Sequence, residues 1–138
     1  METYVKDVVN NLLKSDKRNA EITLKSKNDY KKNLFRILYN KLSLTLQQKI
    51  VPSHAKNALL RTTGMHVGKD ACIPHDIYFD PYFPELISLK KGSLIGGGCT
   101  VITHKVAGNK LTLGRCVLEE RTMTAGLCEL NPGSVLSN

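Results

Sequence analysis

The stretch that decides the predicted fold runs from Phe83 to Leu136 and divides into consecutive groups of six residues. It reads F-P-E-L-I-S, L-K-K-G-S-L, I-G-G-G-C-T, V-I-T-H-K-V, A-G-N-K-L-T, L-G-R-C-V-L, E-E-R-T-M-T, A-G-L-C-E-L and N-P-G-S-V-L. Most groups begin with an apolar residue, often followed by glycine or proline. Two earlier groups start at Val67, and the four-residue insertion F-D-P-Y, residues 79–82, separates them from the rest. After that insertion the period of six holds for nine groups without a further gap.

A six-residue period indicates a short flat strand followed by a sharp corner. Three such units close a triangular prism of roughly eighteen residues per turn, and each turn needs its neighbours to bury its apolar side. An antiparallel sandwich would show alternation of period two and turns every eight to twelve residues instead. The sequence therefore predicts a mainly β protein, a left-handed parallel β-helix of about three to four coils, preceded by an α-helical N-terminal segment.

The distribution of charge marks a boundary between two parts of the chain. Residues 1–66 contain thirteen Lys or Arg and five Asp or Glu, for a net charge of 13 − 5 = +8, whereas residues 67–138 contain seven of each. Apolar residues at helical spacing predict three helices in the first part, and Ser53 is a suitable N-cap for the third. We therefore predict a basic helical segment over 1–66 and the β-helix domain over 67–138.

Composition excludes several classes of protein. No run of eighteen or more apolar residues exists, and the N-terminus lacks a secretory signal pattern, so we expect a cytoplasmic protein without a membrane span. The four cysteines form no C-x2-C pair, and we interpret them as small buried apolar residues. Basic helices can bind nucleic acid or anionic lipid, but the favoured interpretation is a solvated face on helices that pack on a neighbouring domain or subunit.

Two segments carry a resemblance to a known family. They are L-R-T-T-G-M-H-V-G-K-D-A-C-I, residues 60–73, and F-D-P-Y-F-P-E-L-I-S-L-K-K-G-S-L-I-G-G-G-C-T-V-I-T-H, residues 79–104. Over residues 57–138 the chain resembles the hexapeptide-repeat acyltransferases, in particular the maltose and galactoside acetyltransferase group. The resemblance implies a homotrimer with active sites between adjacent prisms. It also implies transfer of an acetyl group from acetyl-coenzyme A to a hydroxyl or amine of a small acceptor such as a sugar.

His104 is the predicted catalytic base. It occupies the fourth position of its group, where side chains leave the prism, and it matches the histidine that follows I-x-T in similar enzymes. A histidine titrates near neutral pH and can take a proton from an acceptor hydroxyl. Stacking at eighteen residues places Glu85 nearby, as an orienter of His104 or an acceptor contact. The insertion 79–82 is expected to protrude as a loop, and the corner Gly96-Gly97-Gly98 offers backbone N–H groups for an oxyanion.

The sequence departs from the family pattern near its end, which leaves other functions open. Residues 119–129 read E-E-R-T-M-T-A-G-L-C-E, with Glu119 in a position that is usually apolar, and the sequence given stops at Asn138, partway through a coil. The alternative function is therefore a non-catalytic trimeric scaffold with a degenerate or truncated cofactor site. A γ-class carbonic anhydrase is disfavoured because Asn109 stands five residues after His104, and no metal site is predicted. Nucleic-acid binding through residues 1–66 is a further alternative, less favoured than the scaffold, and no residues are assigned to the cofactor.

Overall fold

The structure is a computed structural model, and it describes residues 2–137. Three α-helices lie in the first half of the chain, namely α1 (Thr3–Lys14), α2 (Leu34–Gln47) and α3 (His54–Arg61). A 3₁₀ turn (Pro84–Leu86) lies in the second half. The strands are β1 (Asn19–Thr23), β2 (His66–Val67), β3 (Tyr78–Phe79), β4 (Ile87–Leu89), β5 (Thr100–Val101), β6 (His104–Ala107), β7 (Lys110–Gly114), β8 (Cys116–Leu118), β9 (Glu129–Leu130) and β10 (Val135–Leu136). Most strands are only two or three residues long.

Three helices form in the segments in which the periodicity predicts them, although α2 is shorter than the predicted stretch from about Asp29 to Ile50. In α1 the buried positions are Val5, Val9 and Leu12, which lie on one side of the helix. The Ser53 hydroxyl accepts a hydrogen bond from the Lys56 N–H at 3.2 Å and caps α3 as expected.

Residues 66–136 stack through short parallel pairings along three lines. One line joins β2, β4, β8 and β10, a second joins β3, β5 and β9, and a third consists of the single bridges Cys72–Leu94 and Leu94–Met123. The spacing between paired residues is not constant along the chain. It is 22 residues from His66 to Ser88, 29 from Ser88 to Val117 and 18 from Val117 to Val135.

An antiparallel hairpin explains the longest spacing. Strands β6 and β7 pair from His104 with Leu113 to Ala107 with Lys110, which leaves Gly108 and Asn109 as a two-residue loop. Gly108 has a φ of 61°, as the first loop residue of a type II′ hairpin requires. Strand β1 adds to the free side of β7, also antiparallel.

The predicted fold class is wrong on these findings. The described chain is a mixed α/β protein with three α-helices and both parallel and antiparallel sheets, rather than a mainly β, left-handed parallel β-helix. The uninterrupted period of six fails at the hairpin, whose residues look like a repeat but leave the parallel stack. The N-terminal segment is not wholly helical either, since it supplies β1.

Two apolar clusters hold the protein together. The larger fills the space between the parallel strands, with fully buried residues such as Ile73, Ile87 and Leu118. In the second cluster α1 packs on the hairpin and the 3₁₀ turn through Val5, Val9, Leu12, Phe83, Leu86, Leu111 and Leu113.

The division of the chain into a segment 1–66 and a domain 67–138 stays a prediction. Within residues 2–137, every helix is too short or too polar to cross a membrane.

Candidate functional site

His104 stands where the chain leaves the parallel stack and enters the hairpin. It is the first residue of β6, and its side chain is 17% exposed. Thr103, directly before it, is completely buried, and its carbonyl oxygen accepts a hydrogen bond from the Gly114 N–H at 2.9 Å. This hydrogen bond at the base of the hairpin therefore fixes the backbone next to His104.

Asp80 approaches His104 from the neighbouring layer of strands. It directly follows β3, and its N–H donates to the Val101 carbonyl at 3.0 Å, which continues the parallel pairing of β3 with β5. The Asp80 side chain is only 3% exposed, and its Oδ2 atom forms a hydrogen bond with Nδ1 of His104. A buried carboxylate and a partly exposed imidazole thus form a pair.

The remaining contacts of Asp80 hold its carboxylate in place. Oδ2 also accepts from the Thr103 N–H at 3.1 Å and from the Thr103 hydroxyl at 3.0 Å, while Oδ1 accepts from the Tyr82 N–H at 2.9 Å. Burial alone would raise the pKa of Asp80, but the hydrogen bond and charge of His104, with the two backbone N–H groups, outweigh burial and lower the pKa below its usual value of 3.8. Asp80 is therefore ionised at neutral pH and can orient His104.

Three aromatic rings surround the imidazole of His104. Ring centroids lie 5.7 Å away for Tyr30, 5.1 Å for Tyr82 and 5.5 Å for Phe83. These contacts restrict rotation of the imidazole and exclude water from part of its surface. Among the described residues, Nε2 of His104 has no hydrogen-bond partner, whereas Nδ1 is engaged by Asp80. The arrangement leaves one nitrogen of an oriented imidazole available.

Glu85 makes a different contact. Its carboxylate pairs with Lys32, with 2.5 Å between Nζ and Oε2, in the 3₁₀ turn beside Phe83. The structure therefore brings His104 together with Asp80 rather than with Glu85. The predicted column of residues at intervals of eighteen does not form here. Ile87, two residues after Glu85, pairs with Cys116, which is 29 residues further along, because the hairpin lies between them.

The insertion 79–82 does not protrude as a loop. Phe79 is 1% exposed and Asp80 2%, and both continue the β3–β5 pairing. Asp80 is the residue that the sequence reasoning missed. The signal available for it was the insertion itself, since four extra residues move Asp80 beside Ile102, two positions before His104.

Backbone groups of the corner Gly96-Gly97-Gly98 form hydrogen bonds with the next layer of strands. The Gly96 N–H donates to the Thr124 hydroxyl at 2.8 Å, and the Gly97 carbonyl accepts from the Leu127 N–H at 2.9 Å. The Gly96 N–H is therefore already used in joining two layers of strands. No oxyanion donor is assigned from this corner.

A shallow groove of about 580 Å³ lies apart from His104. Its lining includes the cations Arg61, Lys90 and Lys91, and Lys90 also pairs with Glu119 at 2.6 Å.

Across residues 2–137 there is no cluster of three or more His, Cys, Asp or Glu side chains arranged to hold a metal ion.

Comparison with known proteins gives no family for the chain. No protein-family model matches it, and neither a curated protein nor a solved structure does.

Proposed function

We propose that the protein is an acyltransferase that moves an acyl group, acetyl in the simplest case, from coenzyme A to a hydroxyl or amine of a small acceptor such as a sugar. The observation that carries the proposal is the hydrogen bond between the buried carboxylate of Asp80 and Nδ1 of His104. The nature of the acyl donor rests on the sequence resemblance, and no residues are assigned to the donor.

The pair supports general-base catalysis on an external acceptor. Asp80 accepts the Nδ1–H of His104, which leaves the lone pair on Nε2. The aliphatic hydroxyl of Thr103, directly before His104, donates to the same carboxylate. It is held away from the role of a nucleophile, which favours direct attack by the acceptor over a covalent acyl-enzyme.

The proposed reaction then proceeds in two steps. Nε2 of His104 takes the proton from the acceptor oxygen or nitrogen as that atom bonds to the thioester carbon. The tetrahedral intermediate collapses as the carbon–sulfur bond breaks, and the leaving thiolate receives the proton from Nε2. The products are the acylated acceptor and free coenzyme A, and His104 regains its starting state.

The proposal is tested by release of free thiol from acetyl-coenzyme A over a panel of sugar and amine acceptors. General-base catalysis contributes roughly 10²–10⁴-fold in rate, so we expect His104→Ala to lower kcat by that factor. Asp80→Asn should lower kcat by at least about tenfold, because the amide no longer fixes the imidazole tautomer. The exposed His75 provides the matched control, His75→Ala, which should keep the original rate.

Unchanged turnover in His104→Ala would contradict the mechanism. If the wild-type protein shows neither turnover nor heat of binding with acetyl-coenzyme A, the non-catalytic scaffold replaces the enzyme.

The proposal includes a homotrimer and a cytoplasmic location. Both rest on the sequence alone. A mass from light scattering equal to three chains would support the trimer, and a monomer mass at micromolar concentration would oppose it.

A further inference from the structure

Helix α2 presents its apolar residues to solvent. The most exposed are spaced three or four positions apart and lie on one side of the helix. Their exposed fractions are 66% for Leu34, 81% for Phe35, 53% for Leu38, 70% for Leu42 and 50% for Leu46. Val51, four residues beyond the end of α2, is 63% exposed. We call Leu34, Phe35, Leu38, Leu42 and Leu46 the outer stripe.

Polar contacts fix the rotation of the helix that exposes this stripe. The inward side holds Ile37, Asn40, Ser43, Leu44 and Gln47, all buried. The Asn40 side-chain amide donates to the Pro81 carbonyl at 3.0 Å, and that of Gln47 donates to the Ile77 carbonyl at 2.8 Å. Turning the outer stripe inward would break both buried hydrogen bonds and expose Ile37 and Leu44. The stripe therefore belongs on the surface.

The stripe is larger than the single apolar residues that are scattered over an ordinary protein surface. Its five large apolar side chains are neighbours and each is at least half exposed, so the patch reaches the range, roughly 300–600 Å², of the largest apolar patch on a typical monomer. Patches of that size often have a function. Contact with another surface is thus expected.

The positive charge around α2 indicates what kind of surface contacts the outer stripe. From Tyr30 to Lys69 the sequence has eight Lys or Arg and no Asp or Glu. Lys31, Lys41 and Lys49 are exposed before, within and after α2. A second copy docked on the same stripe would bring like charges together, which is unfavourable. An occupant that is apolar inside and anionic at its rim fits, as a membrane surface with anionic lipid does.

We propose that α2 docks the protein on an anionic membrane surface. The helix lies in the plane of the interface, with the outer stripe among the acyl chains and the neighbouring lysines against the headgroups. Nothing in this inference depends on catalysis by His104.

Co-sedimentation of the full chain with vesicles tests the proposal. We expect binding to phosphatidylcholine vesicles that contain phosphatidylglycerol, weaker binding to phosphatidylcholine alone, and loss of binding as salt screens the charges. Phe35→Ser combined with Leu42→Ser should weaken binding at least about tenfold, because two large apolar side chains no longer enter the lipid. Lys41→Glu combined with Lys49→Glu should weaken binding only to the anionic vesicles.

The matched control is Met123→Ser combined with Leu127→Ser, which removes two side chains that are 71% and 87% exposed elsewhere on the protein. This variant should bind as the wild type does. The thermal unfolding midpoint shows whether each variant is folded, and Leu38→Ser replaces the Phe35→Ser, Leu42→Ser variant if that variant is unfolded.

Three results would overturn the proposal. One is equal vesicle binding by the wild type and the Phe35→Ser, Leu42→Ser variant. Another is failure of the wild type to bind any vesicle. The third is a drop in solution mass on substitution of the stripe, which would assign the surface to a second copy.

Discussion

At the scale of single residues, the site depends on a carboxylate that the six-residue pattern does not mark. His104 stands out in the sequence, because its place in the repeat and its chemistry both single it out, and its catalytic role stays a prediction. Asp80 is missed when the insertion 79–82 is interpreted as a protruding loop, because a protruding loop would leave eighteen residues between adjacent layers of strands. Only the three-dimensional pairing of β3 with β5 shows that this number is 22.

The pH dependence of stability should reveal the contacts of Asp80. Because the pKa of Asp80 is lower in the folded than in the unfolded state, the unfolded chain binds the proton first. The stabilisation is complete above the ordinary pKa of 3.8 and is lost as the pH falls through the lower, folded value. We expect the free energy of unfolding of the wild type, from urea titrations, to fall over this range more steeply than that of Asp80→Asn.

The exposed Asp76 supplies the control for this measurement. Asp76→Asn should follow the wild-type curve. Parallel curves for wild type and Asp80→Asn would show that the carboxylate is not stabilised as its contacts indicate.

At the scale of elements, the helices were predictable and the hairpin was not recognised. Apolar residues recur at every turn of α1, and this spacing predicts the helix. The loop Gly108-Asn109 is itself a hairpin signal. The group A-G-N-K-L-T nevertheless fits the six-residue pattern, because a glycine in second place suits both a repeat corner and a type II′ loop. The period alone could not separate these two structures.

Because the layers stack closely, we expect alanine to destabilise the protein at Gly96 but not at the adjacent Gly97. A Cβ added at Gly96 would lie 2.3 Å from the Ala125 carbonyl oxygen, whereas one added at Gly97 would meet nothing within 4 Å. We expect Gly96→Ala to lower the free energy of unfolding by about 1–3 kcal/mol or more, since backbone atoms must move. Gly97→Ala should change it by less than about 0.5 kcal/mol.

Chemical denaturation of the two variants measures both values under identical conditions. Equal stability of Gly96→Ala and Gly97→Ala would contradict the contact between layers.

At the scale of the whole molecule, α1 and β1 hold the hairpin against the stack. Leu12 is 2% exposed within the second apolar cluster, while its neighbour Leu13 is 38% exposed. We expect Leu12→Ala to cost about 2–5 kcal/mol through lost burial and a residual cavity. Leu13→Ala should cost about 0.5 kcal/mol or less. Thermal or urea unfolding distinguishes the two, and similar losses would mean that α1 does not pack as described.

Strand β1 has a consequence for how the protein is made. Residues 19–23 leave the ribosome long before residues 110–114, with which they pair. During that interval β1 has unpaired N–H and C=O groups and no native strand to receive them. Such an edge can pair with other chains. A translation product that ends before residue 110 would carry this edge permanently, so premature termination should yield aggregation-prone fragments rather than smaller folded proteins.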